Sequence, residues 1–303
     1  MPDNKKIFAT PKVRKFAREL GANISEIEGS ERLGRITEDD VKNFVNKNLN
    51  KSQIKKNTKV NLDFEHSEFG EVEIIEIPRI KRLAAPHLSN SWNTIPHVTH
   101  HDEADITELE DFRANLTDSI SGDKIKITPL AFIVKALANN LKKFPSFNSS
   151  IDNIIEGKIT LKKYYHIGIA VDTKHGLMVP KIRNVEQKKI REIAEDLKKV
   201  SDLSKTLKIN KKEFFGGSIT VTSLGGIGGK FFTPIINYPE VAILGVGRSY
   251  KKQIFIKDKF LARTVLPISL SYDHRIIDGA EAAKFCNSLK ANLGENFAYN
   301  LAF

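Results

Sequence analysis

The chain has 303 residues, 40% of them hydrophobic, a formal net charge of +11 and one cysteine. That length accommodates one large domain and a small one. No apolar run is long enough for a membrane-spanning helix, Met1–Lys6 lacks the apolar stretch of a secretory signal, and the lone Cys286 excludes an internal disulfide, which fits a cytoplasmic protein. The charge does not form a nucleic-acid patch. Residues 46–61 carry five lysines and no acid, and the rest of the excess is dispersed with no basic stripe interleaved with aromatics.

Pattern divides the chain into residues 8–46, 47–69 and 70–303. In the first, Thr10 is placed to cap a helix that begins with Pro11. Val13, Phe16, Ala17 and Leu20 form its apolar face, and Gly21 ends it. After a loop, Thr37 caps a second helix with Val41, Phe44 and Val45 inward. Two short helices give a very small core, so binding is expected of this unit rather than catalysis. The second stretch is polar, cationic and aperiodic, and is expected to be a flexible tether.

From about residue 70 strands and helices alternate. Ile125–Ile127 reads as a strand edge. Thr128 and Pro129 open a helix with Leu130, Ile133, Val134, Leu137 and Leu141 on its buried face, stopped by Pro145. Ile167–Val171 and Leu177–Val179 read as strands around a turn. A helix is expected over 187–205, then strands at 218–223, 241–246 and 265–272. This mixture predicts an α/β layer sandwich of mixed sheet and helices. Gly225–Lys230 fails the phosphate-loop pattern at Leu224 and Phe231, and reads as a tight turn with close backbone approach. His97, His100 and His101 have no complementary cysteine or acidic pair at zinc spacing, so no metal is assigned to them. Gly122–Lys124 reads as a surface turn, and Cys286 as core packing.

The segment Asp273-His274-Arg275-Ile276-Ile277-Asp278-Gly279 carries the chemistry. It joins a strand-like run to a helix-like run. A histidine is thereby placed at a strand end beside a turn, with a carboxylate four residues on, an arrangement suited to acid–base chemistry near neutral pH.

This D-H-x-x-x-D-G segment resembles that of the dihydrolipoamide acyltransferases and their chloramphenicol acetyltransferase relatives. Ile95–Leu109, Phe147–Ser150 and Pro239–Val246 extend the resemblance over about 70–303 to the acyltransferases of 2-oxo acid dehydrogenase complexes, in the pyruvate branch. Ala9–Gly21 and Gly34–Val41 resemble the peripheral subunit-binding domain of the same complexes. The resemblance implies a chloramphenicol-acetyltransferase-like catalytic domain at 70–303, a linker at 47–69 and a subunit-binding domain at 8–46. It implies transfer of acetyl groups between a dihydrolipoyl group, carried elsewhere, and coenzyme A, without a metal. His274 would be the general base, Thr222 the hydroxyl donor to the oxyanion, and Asp278 a partner of Arg79 or Arg82 that holds the His274 loop. Ser223 would face away from Thr222. Arg14, Arg18 and Arg35 would clamp acidic faces of pyruvate dehydrogenase (E1) and dihydrolipoamide dehydrogenase (E3). Glu31 stands where that family's loop has glycine, which is expected to alter the turn and to weaken attraction to an acidic partner. The catalytic domains would form trimers with the active site between copies, assembled into a hollow cube of 24 copies or a dodecahedron of 60, the 24-mer being favoured, with Asn300–Phe303 docking into a neighbouring trimer. No membrane or nucleic-acid partner is implied. The reading from another class is a scaffold without catalysis; such proteins tend to lose the histidine, which is present here. The others are an acyltransferase of another 2-oxo acid complex, disfavoured by the 97–109 match, and an antibiotic acetyltransferase of the same fold, disfavoured by the subunit-binding domain. Lipoyl domains, normally in front of the binding domain, are expected in another segment or chain.

Overall fold

The structure is a computed structural model that describes residues 8–31, 34–45, 64–117, 122–153, 156–294 and 297. Most of the expected tether and the Asn300–Phe303 tail lie outside these residues. The chain divides into two units, Met1–Ile75 and Glu76–Phe303.

In the first unit helix α1 spans Pro11–Glu19. Thr10 caps it, its hydroxyl accepting from the Val13 amide at 3.3 Å, and Gly21 follows in the left-handed region at φ 64°. Residues 38–45 form helix α2. Its start is cross-tied: Asp40 donates its amide to the Thr37 hydroxyl, while its carboxylate accepts from the Thr37 amide and hydroxyl and from the Ser30 amide. Val13, Ala17, Ile27, Ile36 and Val41 make the core. The loop depends on Gly29, where an added Cβ would lie 2.3 Å from the Gly34 carbonyl oxygen. Glu31 lies outside the left-handed region, and its amide donates to the Arg35 carbonyl at 3.2 Å.

The second unit is built on a seven-stranded mixed sheet. Its elements are α3 (Arg79–Thr94), β1 (His97–Asp105), α4 (Thr107–Ala114), α5 (Pro129–Lys143), β2 (Ser149–Asn153), β3 (Lys158–Leu161), β4 (Ile167–Ile169), β5 (Lys181–Ile182), α6 (Ile190–Lys205), β6 (Ile219–Ser223), β7 (Ala242–Val246), β8 (Tyr250–Ile256), β9 (Lys259–Asp273) and α7 (Gly279–Leu293). The sheet order is β1-β9-β7-β6-β4-β5, with β8 paired to the first half of β9 and β2–β3 a separate hairpin. β4, β6 and β7 run parallel, and β9 antiparallel to β7 and β1. Helix α5 packs against α6 and α7, and α7 against β1. The helical face holds the main core, in which Phe147 and Phe285 stack with centroids 4.0 Å apart.

Several expected elements differ in detail. Ile125–Ile127 is not a strand; one isolated bridge joins Thr117 and Lys124. Thr128 occupies the cap position of α5 without making a side-chain cap bond; Pro129 and the buried face suffice to start that helix. Helix α6 begins at Ile190 rather than 187, because Glu192 caps back onto the Lys189 amide at 2.7 Å. β9 starts at Lys259, six residues earlier than its apolar run, since its exposed first half is carried by pairing with β8.

Candidate active site

β9 is buried from Val265 to Asp273, and the chain then leaves the sheet. The exit is fixed by backbone bonds. The Asp273 amide donates to Val241 O at 2.8 Å, the His274 amide to Pro96 O at 3.1 Å, and the Ile276 and Ile277 amides return to Asp273 O. Asp273 is 1% exposed and accepts from the amide and guanidinium of Arg275, the closest contact being Nη2–Oδ2 at 2.6 Å. That hydrogen bond holds the Arg275 pKa above its ordinary value. The His274 imidazole projects from this rigid corner exposed, tilted 32° to the Tyr272 ring at 6.0 Å. Burial, then the charges of Asp278 and Cys286, push the Tyr272 phenol up.

Asp278 is a helix cap within the single chain. Its carboxylate caps α7, accepting from the Glu281 amide at 2.7 Å. Among the described residues it forms no ion pair with Arg79, Arg82 or another arginine; the arginine-paired carboxylate of this segment is Asp273. The D-x-x-E spacing of Asp278 and Glu281 is a helix-start signal, and a cap satisfies the carboxylate locally.

Thr222 is half-buried on β6 and Ser223 exposed. The Ser223 hydroxyl accepts from the Gly225 amide at 3.3 Å. Sheet register sets Thr222 opposite Gly245, and Gly245 opposite Ser269. Thr222 therefore shares one sheet face with Ser269 and His101, whose side chains bond at 2.9 Å. On the same face Thr99 and Ser271 hydroxyls lie 2.8 Å apart, and Thr220 meets a buried ion pair. Lys181 Nζ reaches Glu240 Oε1 at 2.5 Å, both side chains at most 2% exposed, and the Thr220 hydroxyl donates to Glu240 Oε2 at 2.5 Å. This face, opposite the main core, is lined with hydroxyl, imidazole and ionic groups.

Register separates the two expected catalytic side chains. His274 follows Ser269 by five residues and lies two strands away from Thr222, a backbone separation on the order of 20 Å at roughly 3.3 Å per residue and 4.8 Å per strand. One chain does not bring them together.

Sequence reasoning missed His97, Lys181 and Glu240. Glu240 lies in a quoted motif, but its partner is 59 residues away, beyond the reach of any spacing rule. The glycine cluster does form a tight turn, with the Ile227 and Gly228 amides returning to Leu224 O. The close approach is at Gly247, where a Cβ would lie 2.1 Å from Lys230 O. Cys286 is buried, and burial pushes its thiol to about 12. In the first unit Arg14, Arg18 and Arg35 are all exposed. Arg14 and Arg18 direct Nε to backbone carbonyls of Ala9 and Arg14, both at 3.3 Å.

Two family models match: the 2-oxoacid dehydrogenases acyltransferase catalytic domain over residues 69–299, and the E3 binding domain over residues 7–42. Among curated relatives, the dihydrolipoyllysine-residue acetyltransferase component of the pyruvate dehydrogenase complex of Cupriavidus necator is 44% identical over 295 residues, covering 93% of this chain and 53% of that protein. The Haemophilus influenzae component of the same name is 41% identical, covering 95% of this chain and 53% of that protein. A solved structure of Azotobacter vinelandii dihydrolipoamide acetyltransferase is 40% identical with a TM-score of 0.75, covering 80% of this chain and 99% of the solved one. The cubic core of the pyruvate dehydrogenase multienzyme complex is similar to the same degree. The chain spans about half the length of these two curated relatives. Matched along most of its length by the catalytic-domain model, it belongs to the 2-oxoacid dehydrogenase acyltransferase family.

Proposed function

We propose that this chain transfers an acetyl group between a dihydrolipoyl group and coenzyme A, at a site shared by two copies. The observation that carries the reading is the placement of an exposed histidine on a rigid strand end, with its hydroxyl partner at the far end of the same sheet. Two copies supply both ends at one interface. The relatives support this: the cubic core is an assembly, and the Azotobacter structure was used to define the roles of a serine, a histidine and an asparagine in catalysis. These residues follow one another at the spacings of Thr222, His274 and Asp278. Leu83, Leu88 and Trp92 leave α3 with exposed apolar side chains, suited to self-association.

In this mechanism His274 takes the proton from the coenzyme A thiol. The thiolate attacks the thioester carbon of acetyl-dihydrolipoamide, and the Thr222 hydroxyl of a neighbouring copy donates to the oxyanion. The tetrahedral intermediate collapses, the carbon–sulfur bond to the dihydrolipoyl group breaks, and His274 returns the proton to that sulfur. Acetyl-coenzyme A and the free dihydrolipoyl thiol leave. No metal takes part. The first unit binds the dihydrolipoamide dehydrogenase and pyruvate dehydrogenase subunits through Arg14, Arg18 and Arg35, and the copies assemble through trimers into a cubic core in the cytoplasm.

The test is acetyl transfer from acetyl-coenzyme A to free dihydrolipoamide. His274→Ala is expected to lower kcat by roughly 10²- to 10⁴-fold, the usual worth of a general base. An assembled wild type without transfer activity would leave the scaffold reading instead.

A further inference from the structure

Pro96 O holds the His274 amide, so whatever fixes Pro96 fixes the base. The next residue, His97, stands opposite Asp273 in the β1–β9 register. Its ring nitrogens both meet backbone groups: Nδ1 lies 2.8 Å from Ile95 O, and Nε2 lies 3.0 Å from the Ile236 amide nitrogen. The polarity of these partners is fixed. A carbonyl only accepts and an amide only donates, so Nδ1 carries the proton and Nε2 accepts. The Trp92 ring lies 5.3 Å from the imidazole, and Ile95, Ile236 and Ile243 form a small core of their own with Tyr238 against it. Beyond Ile236, Asn237 joins His87 on α3 at 3.1 Å and donates to Glu240 at 3.0 Å. Glu240 precedes Val241, the residue that receives the Asp273 amide.

We propose that His97 is a positioning residue for the acyltransfer reaction: its imidazole ties the 95–97 segment to Ile236, and so fixes the Pro96 carbonyl that holds the backbone of His274. This rests on the catalytic reading of His274. The imidazole does not touch the reacting atoms. It spans two chain segments 139 residues apart in sequence and makes one bond with each. A phenylalanine fills the same volume but leaves Ile95 O and the Ile236 amide unpaired. A glutamine retains a donor and an acceptor.

The experiment compares wild type, His97→Phe, His97→Gln and His274→Ala as assembled particles. It reads kcat and KM for acetyl-coenzyme A and dihydrolipoamide, and amide hydrogen exchange over 232–238 and 273–278. His97→Phe is expected to lose up to about 10²-fold in kcat, the scale of a misplaced catalytic group, with both KM values within about twofold, since it removes no substrate contact. Exchange should quicken in both segments, and His97→Gln should recover much of the loss. Wild-type kcat in His97→Phe overturns the proposal. So does an equal loss in both variants, or a loss that comes with raised KM or a broken particle, because each marks a packing role. Inactive wild type, or full activity in His274→Ala, instead sinks the acetyltransferase reading and the catalytic half of the proposal with it; unchanged exchange in His97→Phe overturns the tie whatever the activity.

Discussion

Thr222 is level with Ser269 across the sheet, and Ser269 is five residues short of His274, so the hydroxyl and the imidazole face opposite ends of one sheet. A functional pairing of the two requires a second copy, and that makes a complementation test decisive. Thr222→Val alone should lower kcat by roughly 10²- to 10³-fold, the worth of one oxyanion donor. His274→Ala should lower it by the roughly 10²- to 10⁴-fold worth of a general base. Particles co-assembled from equal amounts of the two variants should recover about a quarter of wild-type turnover, because random mixing in a cyclic oligomer gives that share of interfaces both intact groups. No recovery in mixed particles of normal size would place the whole site within one chain.

Asp278 caps α7, which separates two substitutions that otherwise look alike. Asp278→Asn keeps an acceptor at the cap and should leave stability and turnover close to wild type. Asp278→Ala should cost about 1 kcal/mol and lower kcat, because the turn from His274 to Gly279 loses its anchor. Thermal unfolding and steady-state rates of the two variants check this.

Lys181 and Glu240 form a buried pair beneath the polar sheet face. Removing one partner strands a charge in the interior, so Glu240→Ala should destabilise the large unit by about 3–5 kcal/mol. The double variant Lys181→Met/Glu240→Leu should be less destabilised than Glu240→Ala. Guanidinium melts of the single and double variants measure the coupling. Equal losses in both would mean that the pair contributes only packing.

Asp40 sets an acid limit on the small unit. Burial raises its pKa, but hydrogen bonds from Thr37 and Ser30 outweigh this and bring it from 3.8 to about 2. A depressed carboxylate pKa contributes stability that is fully present above the unfolded value and lost as pH falls through the folded one. Pepsin cleavage within residues 8–45 of the full chain should therefore stay slow at pH 4 and accelerate towards pH 2. Asp40→Asn should remove that acid-dependent step and weaken the unit already at neutral pH.

Much of this was legible in the residues. Thr10, Pro11 and Gly21 bounded α1, Thr37 marked the start of α2, and the apolar spacing from Leu130 to Leu141 marked α5, because caps and helical faces depend on residues within a turn of each other. The corner at His274 was legible for the same reason: a buried strand, a turn and a capped helix lie consecutively. The β8–β9 hairpin was not. Its outer half is exposed on both strands, with Phe255 and Phe260 in solvent, so it lacks the alternation by which a half-buried strand is recognised.

The sequence by itself determined the main helices, the family and the histidine at the strand end, since each is written in near neighbours. Only the tertiary structure decided the rest. It set Thr222 and His274 at opposite ends of the sheet, placed Asp278 at the cap of α7, joined Lys181 to Glu240 and tied His97 to Ile236. These are matters of register and of pairing between distant segments. Sheet register is chosen by the whole buried face at once, and a buried charge takes the partner that the fold brings to it.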